Sequence, residues 1–365
     1  MLSYSRGLTE LGFDVSILAL SPDYDSTNLN NKRKNTFREI KILYTCPFLQ
    51  IKSRFIKKIN FLIGLLIGYI YLFCILLLKR HQIAVSLVFT QPTPLYLYLK
   101  LTKFFKVKVL HERTEFPYIG NKKYQDFYLK RIVPLFDGIY VISFSLVDYF
   151  KNLTDKPVQL LPMTVELDRF LGDSEKNQKY IAYCGSMYTD KDGVPDLIEA
   201  FNLVAGQLSD WYLYLIGDNS ELDKFKIINE KIVASPFKER IICTGYIGRD
   251  EIPKLLIDAR ILALCRPDNM QAKGGFPTKL GEYLATSNPV IITDVGDHTK
   301  YLTDGESAYI AEPNNPQSFA NKIIECVHDE VRAVQIGKNG YLVAQKHFNY
   351  LTQAKSLHIF FESIK

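Results

Sequence analysis

The sequence predicts an α/β protein built from two Rossmann-like domains whose parallel sheets face each other across a cleft. Three observations predict it. Strand-like and helix-like stretches alternate almost throughout, as in the βα units of a parallel sheet. A length of 365 residues suits two such units. A polar, non-periodic break at 172–178 (GDSEKNQ) separates them.

The chain opens on what reads as the back half of a helix, marked by Leu2, Leu8 and Leu11. Strands follow at 13–20, 40–44, 83–89, 107–110, 138–142 and 158–161. After the break, strands are expected at 180–184, 211–216, 241–244, 261–264, 290–293 and 308–310, with helices over 194–207, 251–259 and 317–327. One or two helices should span 340–365. The expected domains are 1–172 and 173–345, with 346–365 a terminal helix. Ligands of such sheets lie beyond the carboxyl ends of the strands, so the site is expected in the cleft.

Composition removes several function classes. A hydrophobic share of 47% supports a large core and argues against global disorder. The net charge of +6 is mild, and no nucleic-acid motif accompanies it, so no nucleic-acid partner is expected. Local basic clusters stand at Lys32-Arg33-Lys34 with Arg38, and at Lys52, Arg54, Lys57 and Lys58. The six cysteines, Cys46, Cys74, Cys184, Cys243, Cys265 and Cys326, have no CxxC or metal-finger spacing and read as reduced thiols of a cytosolic protein. The six histidines lack metal-ligand spacing, and no metal is expected. No apolar signal segment opens the chain.

Residues 61–78 (FLIGLLIGYIYLFCILLL) form an apolar run between basic flanks. Its length reaches the lower edge for a membrane span. A strand-like segment follows at once, so the leading expectation is a buried or half-buried crossover helix. Contact with a membrane surface through 52–80 is the second reading, and a true span the third.

The most informative stretch is KGGFPTKLGEYLATSNPVIITDVGDH, 273–298. Gly274, Gly275, Phe276 and Pro277 form a loop of little bulk leading into an amphipathic helix over 278–285. Asn288-Pro289 ends that helix, and Val290-Ile291-Ile292-Thr293 is a short buried strand. The free N–H groups and partial positive charge of the helix N-terminus suit a phosphate. Thr278 and Lys279 lie on its first turn. Glu282 follows one turn on, where a carboxylate can take two ribose hydroxyls.

This stretch resembles the donor-site signature of retaining glycosyltransferases of family 4, which have the GT-B fold. Gly275-Phe276-Pro277, Glu282-Tyr283-Leu284-Ala285 and Asn288-Pro289-Val290 carry the resemblance. The family's pattern has two glutamates eight positions apart. The second is Glu282, which the resemblance makes a ribose ligand. The first, near the transferred sugar in the family, is replaced here by Gly274. The resemblance covers nearly the whole chain and is specific over 180–320. It implies an N-terminal acceptor domain, a C-terminal nucleotide-sugar domain, and a last helix that returns to the first domain. Such a fold ordinarily begins with a strand and a Gly-rich loop, which do not precede the first helix here; the expectation is a chain shortened at that end.

The resemblance assigns further residues. In GSMYTDKDG, 185–193, Lys191 stands for the family's phosphate lysine and Ser186 replaces its arginine. Arg266, after the strand at 261–264, is a candidate substitute, and Lys279 is another phosphate candidate. Gly245-Tyr246 is similar to the segment whose backbone lies near the base. His111, Glu112 and Glu115, after the strand at 107–110, are the candidate catalytic groups, because related enzymes place a histidine or acid there. Either reading of that cluster, a site or a loop of local ion pairs, stays open. Asp23-Tyr24-Asp25 is similar to a metal motif of a different glycosyltransferase fold and is discounted.

The function implied is transfer of a sugar, with retention, from a nucleoside-diphosphate sugar to a carbohydrate or lipid-linked acceptor in surface polysaccharide synthesis. No cofactor is implied beyond that substrate. The location implied is cytoplasmic, with contact at the inner face of the plasma membrane. The alternative is a nucleotide-sugar-binding protein with impaired catalysis. A membrane-embedded scaffold and a sugar epimerase are further rivals.

Overall fold

The computed structural model describes residues 2–19, 34–37, 40–44, 53–88, 92–117, 121–172, 174, 178–187, 191–219 and 222–364. Asp23-Tyr24-Asp25, Lys32-Arg33, Arg38, Cys46, Lys52 and Tyr188-Thr189-Asp190 lie outside these residues, as do 173 and 175–177 of the polar break.

The second half is a six-stranded sheet of β8 (Lys179–Cys184), β9 (Trp211–Ile216), β10 (Ile241–Gly245), β11 (Ile261–Leu264), β12 (Val290–Thr293) and β13 (Tyr309–Ala311), numbered along the chain after the seven strands described below. The order across the sheet is β10-β9-β8-β11-β12-β13, and every pairing is parallel. This is the doubly wound order, and it reverses direction between β8 and β11. The carboxyl ends of those two strands therefore flank the crevice where such a sheet binds ligands. The strands are short apolar runs, as burial on both faces requires. The covering helices carry their apolar stripes inward: α6 (Val194–Ala205) buries Leu197, Ile198, Phe201 and Val204 at helical spacing.

The first half has a four-stranded parallel sheet, β4 (Ser86–Val88), β5 (Val109–Arg113), β6 (Gly138–Val141) and β7 (Val158–Leu160) in that order. A separate sheet joins β1 (Ser16–Ala19), β2 (Lys34–Phe37) and β3 (Ile40–Tyr44), with β3 central, parallel to β1 and antiparallel to β2. The antiparallel β2, KNTF, was not expected, because four mostly polar residues show no alternation. β5 is also displaced from its expected place. It runs to Arg113, so His111 and Glu112 lie inside the strand, paired with β4 and β6, and not in a loop after it.

The helices of the first half are α1 (Leu2–Glu10), α2 (Arg54–Lys79), α3 (Pro92–Phe104), α4 (Lys122–Phe127) and α5 (Phe144–Lys151). After α6 come α7 (Leu222–Ala234), α8 (Ile252–Asp258), α9 (Met270–Gly274), α10 (Thr278–Ala285), α11 (Pro316–His328), α12 (Glu330–His347) and α13 (Tyr350–Ser363). The last helix crosses back to the first half. The backbone of Val165 exchanges hydrogen bonds with Phe348 (2.8 Å) and Tyr350 (3.1 Å), fixing the crossover. α13 then packs on α1 so closely that a Cβ on Gly7 would stand 2.5 Å from the Cβ of Ala354. Phe360 reaches the sheet, joining Tyr4, Leu110 and Tyr140 in one apolar cluster.

α2 is half-buried, covered on one face only. Tyr69, Leu72 and Leu76 are buried and cluster with Phe105 and Val107. Less than a third of its apolar stretch is buried, and Leu62, Leu66, Ile70, Phe73 and Leu77 are exposed. Position along a helix fixes these faces: the buried set occupies one half of the circumference and the exposed set the other. A run that is apolar all round has no polar face to reveal which side meets solvent, so sequence periodicity was silent on this point.

Removing the Phe360 ring tests the crossover. Phe360→Ala is expected to lower unfolding free energy by about 3–5 kcal/mol in urea titration, because a buried aromatic side chain is lost from a packed cluster. A loss below about 1 kcal/mol would show that α13 contributes little to the first half.

Candidate functional site

The site is built at the crevice between β8 and β11. β8 ends at Cys184 and is followed by Gly185; a Cβ on Gly185 would stand 1.8 Å from Lys279 Cε, so the lysine can cross the strand end only over glycine. Lys279, on the first turn of α10, places its Nζ 2.7 Å from Asp192 Oδ2. The Tyr183 hydroxyl lies 2.9 Å from the same oxygen and donates to it. Arg266, at the end of β11, brings Nε to 3.8 Å from the other Asp192 oxygen and donates to the Lys191 carbonyl at 3.3 Å.

Asp192 is 4% exposed and Arg266 0%. Burial opposes ionisation of Asp192, but the Lys279 and Tyr183 bonds and the Arg266 charge hold its carboxyl below the usual range. Burial pulls the Arg266 guanidinium below its ordinary value, against the opposing charge of Asp192. Among the described residues, Arg266 Nη1 and Nη2 make no hydrogen bond. Two buried donors on a cation without an acceptor are costly, and an anion would satisfy them.

α10 begins beside this cluster, and among the described residues no side chain caps its N-terminus at Pro277. Its first N–H groups are free for an acceptor by the geometry of any helix start. Thr278 is exposed there, while Gly275 and Pro277 are buried. The Tyr283 hydroxyl accepts from Cys184 N at 2.7 Å, so α10 is bonded to the end of β8. Glu282 is half-buried, with Oε1 3.5 Å from Arg169 Nη1. Burial raises its carboxyl above the usual range, opposed by the charges of Arg169, Arg249 and Lys279. Gly245 ends β10 at φ 71°, bridged to Gly217, and the Tyr246 ring beyond it is exposed.

The structure thus brings Lys191, Arg266, Gly275, Thr278, Lys279 and Glu282 around one crevice, with Gly245 and Tyr246 at the end of β10. Phe276 differs from its neighbours. It is 5% exposed, with its ring packed on His298, Tyr301 and Phe348. Its side chain anchors the loop, and only its backbone is left to meet a ligand.

The three candidates of the first half are not brought together. His111 is buried, stacked on Phe136, with Nδ1 3.2 Å from the Val88 carbonyl. Burial lowers its imidazole to about 3, so it is neutral at physiological pH. Glu112 projects from the opposite face of β5, beside Tyr4 and Tyr140, whose hydroxyls feel its charge. Burial raises its carboxyl to about 7. Glu115 alone crosses to the other half, where its Oε1 lies 2.5 Å from Lys191 Nζ.

Other contacts between the halves were not foreseen. Ser143 Oγ donates to the Gly274 carbonyl at 2.7 Å, and Phe144 N donates to Asp297 Oδ2 at 2.6 Å. The Phe116 ring lies against Gly274, where a Cβ would stand 2.4 Å from two ring carbons. Gly274 is therefore required by the aromatic ring across the cleft. Asp192 was legible only as the residue before Gly193, and Ser143, Phe116 and Asp297 carried no local signal. Among the described residues, no cluster of three or more His, Cys, Asp or Glu side chains suits a metal ion.

Comparison with known proteins bears on this geometry. The Rickettsia africae glycosyltransferase structure superposes with a TM-score of 0.75 at 16% identity, covering 100% of this chain and 93% of that one. The fold is GT-B. Residues 178–329 match the model of a family described as "Glycosyl transferases group 1". HepE of Anabaena, solved in complex with UDP, superposes with a TM-score of 0.65 at 16% identity over 76% of this chain and 79% of its own. TuaC of Bacillus subtilis (strain 168), a glycosyltransferase provisionally assigned to teichuronic acid biosynthesis, is 23% identical over 261 residues, 68% of this chain and 61% of TuaC. The chain spans about three fifths of the length of the curated relatives it matches first.

The Phe116–Gly274 contact can be tested by introducing a glutamate at position 274. Gly274→Glu is expected to destabilise the protein by about 1–3 kcal/mol through overpacking. Phe116→Ala in the same chain should recover more than about 0.5 kcal/mol of that loss. Additive effects in the double-mutant cycle would show that the ring and the glycine do not constrain each other.

Proposed function

We propose that this chain is a retaining glycosyltransferase that moves a sugar from a nucleoside-diphosphate sugar to a carbohydrate or lipid-linked acceptor, in surface polysaccharide synthesis. The observation that carries the proposal is the buried Arg266 guanidinium, whose two terminal nitrogens have no acceptor among the described residues, beside the N-terminus of α10. Glu282 stands one turn along the same helix, at the spacing that lets one ligand offer a diphosphate to the helix start and a ribose to the carboxylate.

In this reading the bond from the anomeric carbon to the diphosphate oxygen breaks, and a bond to an acceptor hydroxyl oxygen forms on the same face. The acceptor proton passes to the departing phosphate. Arg266, Lys279 and the first N–H groups of α10 stabilise the charge that grows on the leaving group. The Lys279 ammonium meets the diphosphate while keeping its bond to Asp192. Lys191 reaches it by leaving Glu115, and Glu115 is thereby freed at the mouth of the cleft toward the acceptor. Gly245 and Tyr246 border the base. Neither a metal ion nor a cofactor is assigned a role.

A second reading, donor binding without transfer, is favoured by two observations. The Phe116 ring fills the space at Gly274, and His111 is sealed in the core. Incubation with the matched sugar nucleotide and acceptor separates the two: transfer supports the first reading, and binding without product over hours supports the second.

The proposal extends to location. The exposed half of α2, with Lys58, Lys79 and Arg80 at its ends, suits contact with the anionic inner face of the plasma membrane.

Two measurements test these statements. Calorimetry with UDP, GDP and ADP should find one nucleotide bound. Glu282→Ala and Arg266→Ala should each weaken it roughly tenfold to a hundredfold, the loss of hydrogen bonds to a charged partner. Affinity unchanged in both variants would refute the site. For the membrane, sedimentation with phosphatidylglycerol vesicles should capture the protein, and Leu66→Glu with Ile70→Glu should release most of it. Equal recovery of both forms in the supernatant would remove membrane contact from the proposal.

A further inference from the structure

The geometry points to Arg169 as the positioning residue of the ribose site: it orients Glu282 and keeps its carboxylate charged for the hydroxyls of the donor. The inference rests on the donor-site reading above and names a residue that no motif in the sequence marks.

Arg169 lies in a single helical turn, Leu167–Phe170, within the connection between the two halves. That turn packs against α8 and α10. The Arg169 side chain is only 12% exposed, although arginine heads ordinarily reach water. Two contacts hold it there. Nη2 donates to the Arg249 carbonyl at 3.0 Å, in the loop after β10, and Nη1 lies 3.5 Å from Glu282 Oε1. The first contact is to a backbone atom and fixes the guanidinium plane. The second is long for a charged pair, so the carboxylate is steered without being consumed. Among the described residues, Glu282 Oε2 makes no hydrogen bond within the protein.

The need for such a residue follows from burial. Burial raises the pKa of a carboxylate that has no cation nearby, and a protonated acid binds two hydroxyls less well. The groups facing Glu282 are Arg169 from the connection, Arg249 from the loop after β10, Lys279 one turn back on α10, and the neutral Cys184 and Tyr283. Among the three cations, Arg169 acts most strongly, and only it makes direct contact. Lys279 is bonded to Asp192, and Arg249 lies 3.8 Å from Glu166. Glu166 also accepts from Arg6 of α1 at 2.8 Å. The ribose carboxylate is thus tied through Arg169 to the connection itself.

The sign of the pH effect follows. The Glu282 carboxyl is raised in the intact protein, so ribose binding falls as pH drops through its titration. Without Arg169 the titration moves up, and the loss of binding begins at higher pH.

The test has two readouts. Carbon-13 NMR follows the Glu282 carboxyl in the full chain without nucleotide, and calorimetry follows binding of UDP, GDP and ADP between pH 5.5 and 8.5. Arg169→Met should move the Glu282 midpoint up by about one pH unit. It should also weaken the bound nucleotide roughly tenfold near that midpoint, with recovery at higher pH. Arg169→Lys, which keeps the charge and loses the fixed plane, should restore the midpoint and part of the affinity. An Arg169→Met protein that titrates and binds like the unsubstituted one overturns the inference. If the unsubstituted chain binds none of the three nucleotides, the donor-site reading fails, and the NMR midpoint still decides whether Arg169 holds Glu282 charged. If Arg169→Met does not fold, Arg169→Lys decides: a midpoint displaced as far as loss of all charge would move it overturns the assignment.

Discussion

The buried carboxylate of Asp192 is the interaction on which the site depends. It is bonded to Lys279 and Tyr183 and lies beside Arg266, so it joins β8, the loop after it, β11 and α10 at one point. Loss of a single member of a buried charged pair typically costs about 3–5 kcal/mol, because the other is left uncompensated. The arrangement has a consequence for function. Among the described residues, Asp192 is the carboxylate in contact with both Lys279 and Arg266, with Glu115 acting on Arg266 from farther off, so the start of α10 keeps a local positive balance. The uncapped helix N-terminus adds to it. An anion is what this balance lacks.

The same charge logic extends outward. Lys191 is paired with Glu115 of the opposite half, and Glu282 with Arg169 of the connection. Both pairs hold a group of the crevice to a part of the molecule outside the second sheet. Ser143 on Gly274 and Asp297 on Phe144 do the same for the loop before α10. The crevice is therefore sensitive to how the halves sit, even though most of the residues around it come from one of them. α13, which returns to α1, carries that dependence to the far end of the chain.

Much of this was legible in the residues. The six strands of the second half were expected close to where they stand, because each is a short apolar run bounded by polar or turn residues. Gly275, Lys279 and Glu282 were marked by a loop, a helix start and one turn of spacing, all local properties. What was not legible is what depends on contacts distant in sequence. Nothing within five residues of Gly274 announces Phe116, and nothing near Arg169 announces Glu282. His111 shows the limit most clearly. Its strand extends three residues beyond the expected end, and alternation then turns the imidazole into the core. α2 shows another limit: uniform apolarity predicts a helix but not what covers it.

A crystal structure of the chain with a bound nucleoside diphosphate is the most direct test of this account. The account predicts diphosphate oxygens within hydrogen-bond distance of Arg266 Nη1 or Nη2 and of the first N–H groups of α10, with the ribose hydroxyls on Glu282. A nucleotide seated elsewhere, with the Arg266 guanidinium still lacking an acceptor, would contradict it.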